Sequence, residues 1–582
     1  MLPSAGRVDR VPRDRSARRR QPRRRRQGRA TLVSARLYLV GLVVPAVALL
    51  IALVGLHAPA GIDLAPAAPP TFNAERALEL AGSIADVPDR TAGSETAPLA
   101  AALIAQAFTD VGAQPQVDTF TAPARTGDRA TMSNIVSILR GESNEAIVVL
   151  AHRDNVPPGA DAANSALGTA VIVELAAAFA GQRTARTLVL ASVDGGGAGD
   201  AGARRLVTRL PRGLNPVAMI AIQGIAATAP IPVGDRGDGR NRAPAGFAEG
   251  VAEALAAAGG GPIARPNFLH ELAELVAPPR TPGGQAPFIA RGIPAITIGD
   301  DPRTSSDTAP DARRFSHTSQ AINDLVLALD AGGAPAGPNS SYVRAGGRVL
   351  SSWVIALLAV ALLVPPGLVA IDLAARAMRE RLPLRDELFR VARLAIPLAG
   401  AALGALVAGL AGAAPSSPSA YPFPGQGSGV GLAAVLLVIA GVGLGLAANR
   451  LVPVPPRVPA GDPAVRAVVA LTAALICGCA GAGLAIAALP AAGVLLVPAL
   501  HAWALLERIT RGGAVVRALT ILLPLVLPAI LIARGAGIAN GEAIRVISDG
   551  RMPIGAAIGA AVTLAAASVL AARFIVPQRR VA

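Results

Sequence analysis

The sequence predicts an α/β outer domain with a mostly parallel sheet, joined to an all-α membrane domain of several spans. Three observations predict this. Of the 582 residues, 52% are hydrophobic and 16% charged, with a mean hydropathy of +0.50. That is too apolar for an ordinary soluble chain. Apolar runs at 37–56 and throughout 349–575 are long enough to cross a bilayer. Between them, residues 71–332 show charged helical stretches, short apolar runs and Gly/Pro turns. Short apolar runs alternating with helices mark a buried, mostly parallel sheet.

Residues 1–36 hold thirteen Arg against two Asp, so most of the net charge of +16 lies in this tail. Such a tail can bind nucleic acid or anionic lipid. Because a span follows at once, it reads as a cytoplasmic tail that sets orientation, and no nucleic-acid partner is expected. The first span is 37–56. Ala58-Pro59-Ala60 is weakly like a cleavage site, but the apolar run exceeds the usual signal core, so an uncleaved anchor is expected. Residues 57–70 read as a Pro/Ala linker.

Within 71–332, segments 71–85 and 97–111 have the spacing of amphipathic helices. Segments 146–151, 187–193, 217–222 and 295–298 read as buried strands. Residues 333–348 are a second linker, rich in Gly, Pro and Ser. Seven further apolar segments follow near 349–373, 391–412, 429–448, 465–489, 491–506, 516–533 and 554–572. Only Pro490 parts two of them, so the total is seven or eight spans. With eight, the Arg-rich stretches 376–393, 449–466, 507–517 and 573–582 all share the side of the N-terminus. This places the chain in the cell membrane as a multi-pass protein, with both termini cytoplasmic (576–582 as the final tail) and 61–345 outside.

The spans hold few ionisable groups. Asp372 and Glu507 sit at predicted cytoplasmic ends, and a lone His501 reads as a packed or interfacial residue. A transporter, which usually needs intramembrane carboxylates or broken helices, is therefore the weaker reading. Cys477 and Cys479, the two cysteines, lie two residues apart in an apolar helix and cannot bridge there.

The clearest chemical signal is the run Ile147-Val148-Val149-Leu150-Ala151-His152-Arg153-Asp154, an apolar strand ending in His-x-Asp. In a parallel α/β sheet, sites lie at the carboxyl ends of strands. A His there, oriented by an Asp, suits a metal ligand with its supporting carboxylate, and equally a capped structural His.

Other pieces surround it. They are Asp89-Arg90-Thr91-Ala92-Gly93-Ser94, the strand Ser133 to Gly141, and Pro158-Gly159-Ala160-Asp161 followed by Gly168 to Glu174. Then come Asp194-Gly195-Gly196-Gly197-Ala198-Gly199 with Gly202, and Phe288-Ile289-Ala290-Arg291-Gly292-Ile293-Pro294. In this order, over about 71–330, they resemble the di-zinc aminopeptidases of metallopeptidase family twenty-eight, especially members fused to multi-span membrane domains.

The resemblance implies two zinc ions bridged by a carboxylate, with a Glu as general base on the metal-held water. Carried over by position, the first His ligand falls on His152 and its orienting Asp on Asp154. The bridging Asp falls on Asn164, and the Glu-Glu pair of base and ligand on Gly196 and Gly197. The next Asp ligand falls on Gln223 and the last His on Arg303. Four of five ligands and the base are thus replaced. Asp161, Asp194, Asp200 and His317 read as ordinary turn and cap residues. The expectation is a non-catalytic relative with a binding or scaffold role and no bound cofactor; the alternative is an active zinc aminopeptidase. Arg303, Gln223 and Asn164 would suit a small anion if they converge; a collapsed polar pocket is the competing expectation. The expected partners are the lipid bilayer and an unidentified peptide, small anion or protein.

Overall fold

The computed structural model describes residues 36–56, 58, 72–124, 128–155, 162–225, 231–260, 267–278, 283–299, 311–335, 337–345, 347–414, 431–454, 463–506, 513–535 and 542–575. After the first long apolar helix, α1 (Arg36–Gly55), the outer domain opens with α2 (Ala74–Ala85) and α3 (Ala97–Asp110). The Asn73 side chain caps α2 by accepting the Arg76 N–H. The α2 surface is then fixed by Arg76, whose guanidinium meets Glu174 with two bonds of 2.7 Å.

The sheet comprises β1 (Pro115–Pro123), β2 (Arg129–Leu139), β3 (Glu145–His152), β4 (Thr187–Val193), β5 (Asn215–Ile222), β6 (Val233–Gly234) and β7 (Ala295–Ile298). Its order is β1-β2-β4-β3-β5-β7-β6. The four inner strands β4, β3, β5 and β7 are mutually parallel, and β1, β2 and β6 add antiparallel edges. The inner strands are apolar and buried on both faces, as a helix-covered parallel sheet requires. Helices α4 (Ala162–Phe179), α5 (Ala201–Arg209), α6 (Ala245–Leu255), α7 (Phe268–Val276), the single turn α8 (Ala286–Ile289) and α9 (Ala312–Asp330) complete the domain. Gly168 lets α4 cross tightly over the site end of the sheet: a Cβ there would lie 2.8 Å from the Ile222 carbonyl and 3.0 Å from Ala151 Cβ.

Part of the segment read as the second linker is ordered structure. Strands β8 (Tyr342–Ala345) and β9 (Arg348–Ser351) form a hairpin that leads straight into α10 (Ser352–Arg379). The helices α11 (Leu384–Leu410), α12 (Leu432–Ala448), α13 (Pro463–Ala488), α14 (Pro490–Ala504), α15 (Ala514–Gly535), α16 (Glu542–Ser548) and α17 (Ile554–Phe574) follow. Among the described residues, seven helices, α1 included, are long and apolar enough to cross a membrane. The segment expected at 491–506 is the shorter helix α14, whose 15 residues span about 22 Å. Glycine seams hold the bundle: a Cβ on Gly441 would lie 2.2 Å from the Gly400 carbonyl, and one on Gly559 would lie 2.4 Å from the Gly481 carbonyl. Such small-residue contact lets helix backbones touch where the hydrophobic effect supplies no drive.

The outer domain is seated on this bundle. Leu272, Leu275 and Val276 of α7 share one apolar cluster with Val343, Leu350, Leu489, Ala492 and Leu495. Beside it lies a neutral set of three arginines and three carboxylates. Arg242 bonds Asp235 at 2.9 Å and also meets Glu271; Arg344 reaches Asp235 at 2.5 Å; Arg236 meets Glu274 and lies 3.6 Å from Glu271. The Tyr342 hydroxyl donates to Asp235 at 2.8 Å. Burial alone would raise the Asp235 carboxyl, but Arg242, Arg344 and Arg236 hold it well below the usual carboxylate range.

Candidate functional site

Strand β3 delivers His152 to the carboxyl end of the sheet, in register with Val193 of β4. Gln223 follows β5 directly, one position beyond the pair Ala151 and Ile222, so His152 and Gln223 lie on neighbouring strands at the same end. The turn after β4 runs through Gly195 and Gly199, both at φ 71°, to Asp200 at φ 57°. This left-handed stretch bends the chain back beneath His152, and glycine bears most of its conformational cost.

The Asp154 carboxylate takes the Gly196 N–H at 2.8 Å and the Gly197 N–H at 2.9 Å. Its Oδ1 is 3.8 Å from His152 Nδ1, beyond hydrogen-bond range. Asp154 therefore caps the glycine turn and does not orient the imidazole as the resemblance implies. The carboxylate that faces the ring is Asp200, 3.1 Å from Nε2. Its other oxygen takes the Gly283 N–H at 3.2 Å. Reading Asp200 as an ordinary cap is thus corrected: it precedes α5 but makes no side-chain cap bond there. The signal that could have found it is its place in the glycine run, four residues after Gly196.

Gly196 is part of the same arrangement. A Cβ there would lie 2.5 Å from His152 Nδ1 and 2.6 Å from Cγ. The imidazole occupies the room that a side chain at 196 would need. It is buried. Burial by itself would lower its pKa, but Asp200, Asp154 and Asp194 outweigh that and raise it, favouring the imidazolium.

The remaining neighbours are committed to structure. Arg153 turns away from His152 to bond Asp194 at 2.9 Å and the Ser133 carbonyl at 2.6 Å. Burial raises the Asp194 carboxyl despite Arg153. Asn134 ties β2 to the turn, accepting the Asp194 N–H and donating to the Gly202 carbonyl. Arg90 braces the strand end from the far side. Its Nε donates to the Arg153 carbonyl at 2.9 Å and its Nη1 to the carbonyls of Ile84 and Val87. A cleft of about 350 Å³ lies between α3 and strands β1 and β2, with Ala101, Val117 and Met132 on its walls and Asp194 among its lining.

Of the positions carried over from the resemblance, the structure joins His152, Asp154, Gly196 and Gly197 directly and sets Gln223 on the adjacent strand. Arg303 lies outside the described residues, as does Asp161, and the Asn164 side chain is likewise not described. His317 lies on α9 near Gly259. Among the described residues, no three His, Cys, Asp or Glu side chains are grouped so as to hold a metal ion. The described residues of the His152 region do not fit the zinc pair that the resemblance implies: the imidazole among them faces Asp200, and Gly196 and Gly197, at the base and ligand positions, carry no side chain.

No curated protein matches the chain. Solved structures similar to it include a leucine aminopeptidase precursor from Bacteroides thetaiotaomicron, at 17% identity and TM-score 0.37, over 44% of this chain and 97% of that one. A glutaminyl cyclase from Porphyromonas gingivalis is similar at 18% identity and TM-score 0.36, over 45% and 99%. A zinc aminopeptidase from Bacillus subtilis is similar at 12% identity and TM-score 0.34, over 45% and 96%. Residues 134–328 match the family model described as Peptidase family M28, and the outer domain is a peptidase family M28-like domain.

Proposed function

We propose that this chain is a membrane-embedded peptidase-like protein whose outer domain has given up zinc hydrolysis and serves as a binding or scaffold module outside the cytoplasm. The observation that carries the reading is the imidazole of His152, packed on Gly196 with its Nε2 3.1 Å from Asp200. A catalytic zinc takes three protein ligands and a water, and hydrolysis needs a base for that water. Here the described residues supply one imidazole, 3.1 Å from the Asp200 carboxylate, and Gly196 offers no base. The test uses the full chain in detergent, because the outer domain buries Leu272, Leu275 and Val276 against the bundle. After zinc loading and dialysis, elemental analysis should find no stoichiometric zinc, and aminoacyl substrates should not be cleaved. Two zinc ions per chain, with cleavage abolished by His152→Ala, would replace this reading with an active peptidase.

The orientation belongs to the same proposal. Reporter fusions at Gly337 and after Ala582 should report opposite sides of the cell membrane, the latter cytoplasmic. Both reporters on one side would overturn it.

A further inference from the structure

Pro365 and Pro366 lie inside α10. Proline lacks the N–H that a helix directs to the carbonyl four residues earlier. Pro366 therefore leaves the Leu362 carbonyl without its helical partner, at a depth where lipid offers no replacement. A side chain from another helix supplies it: Nε2 of His501, on α14, lies 2.8 Å from the Leu362 oxygen. A carbonyl only accepts, so Nε2 carries the proton, and Nδ1 of the neutral ring is left as an acceptor. The hydroxyl of Tyr38, on α1, donates to that Nδ1 at 2.7 Å, with the two rings edge to face.

A second, independent contact brings α1 to the same place. A Cβ on Gly41 would lie 3.0 Å from Pro365 Cα, so the glycine allows α1 to lie directly on Pro365. At the other end of α1, Ala52 and Leu56 join Val354 and Ile355 in one apolar cluster. Both ends of the first span are thus fitted to α10.

We infer that the first span is a permanent member of the bundle, held by a three-helix clasp of Tyr38, His501 and the Leu362 carbonyl, and is not a leader removed after insertion. His501 acts in this clasp as a fixed donor and acceptor. Removing α1 would strand its Nδ1 and expose Pro365 to lipid. Interhelical bonds of this kind are modest, so losing one should speed loss of the folded bundle by about three- to tenfold.

The experiment uses the full chain from membranes. Intact mass and N-terminal sequencing should find residues 36–56 retained. Tyr38→Phe and His501→Leu should each hasten thermal loss of monodisperse protein in detergent, and the double variant should be no faster than His501→Leu alone, because both remove the same link. If His501→Leu fails to fold, a Gly55→Cys/Val354→Cys pair on a Cys477→Ala/Cys479→Ala background decides: it should cross-link α1 to α10 in otherwise native protein and less completely with Tyr38→Phe. A mature chain starting beyond residue 60, multiplicative effects of the two substitutions, or a cross-link indifferent to Tyr38→Phe would overturn the inference.

Discussion

Replacing Arg242 by Met is expected to destabilise the chain by about 3–5 kcal/mol, the usual cost of stranding one partner in a buried ion cluster. Arg242 is buried between Asp235 and Glu271, and its ring neighbour is Tyr342, 4.8 Å from guanidinium to centroid. Met preserves much of the volume but leaves both carboxylates short of a cation. The same substitution at Arg205, whose bond to Asp118 is half-exposed, should cost far less, because solvent screens that pair. Chemical denaturation of the detergent-solubilised chain measures both. The pH dependence follows from Asp235. Its folded pKa is depressed, so its contribution is present above the unfolded value of about 3.9 and is lost as pH falls below it. The native chain should lose stability on acidification below about pH 4, and Asp235→Asn should lack that part of the slope. A neutral effect of Arg242→Met would mean that the ion cluster does not hold this part of the fold.

That joint was the least legible part of the fold. Its members come from distant stretches, Asp235 to Arg242, Glu271 to Val276 and Tyr342 to Leu350, and no local pattern links one stretch to another. The inner strands were legible for the opposite reason. Thr187–Val193 and Ala295–Ile298 are buried along their whole length, so their apolar runs end where the strands end. The edge strand Pro115–Pro123 went unread because it is half-exposed and mixes polar with apolar residues. At the site, the motifs located the strand ends correctly, and His152 and Gly196 do meet. The partner of His152 was missed because Asp200 reaches it only through the left-handed turn, a conformation that the residue types permit but do not dictate.

Gly196→Glu, which restores the side chain that the family resemblance places at the base position, is expected to destabilise the outer domain and to rebuild nothing. The new Cβ would lie 2.5 Å from His152 Nδ1 and 3.1 Å from Asp154 Oδ1. Either the imidazole leaves Asp200 or the turn shifts, and overpacking of this kind costs about 1–3 kcal/mol. The carboxylate would also join Asp154, Asp194 and Asp200 with no cation added, a further penalty from like charge. Gly196→Ala separates the two effects, since it carries the same Cβ without the charge. The Ala variant should lose part of the stability, and the Glu variant more. Zinc should restore neither, because Gly197 still provides no ligand. A ligand that binds only the folded state raises stability in proportion to its occupancy, so thermal denaturation with and without zinc reads the outcome without reference to activity. Recovery of the Glu variant on zinc addition would show that the imidazole swings free once a base returns, and that the pocket is a metal site held one substitution away from closure.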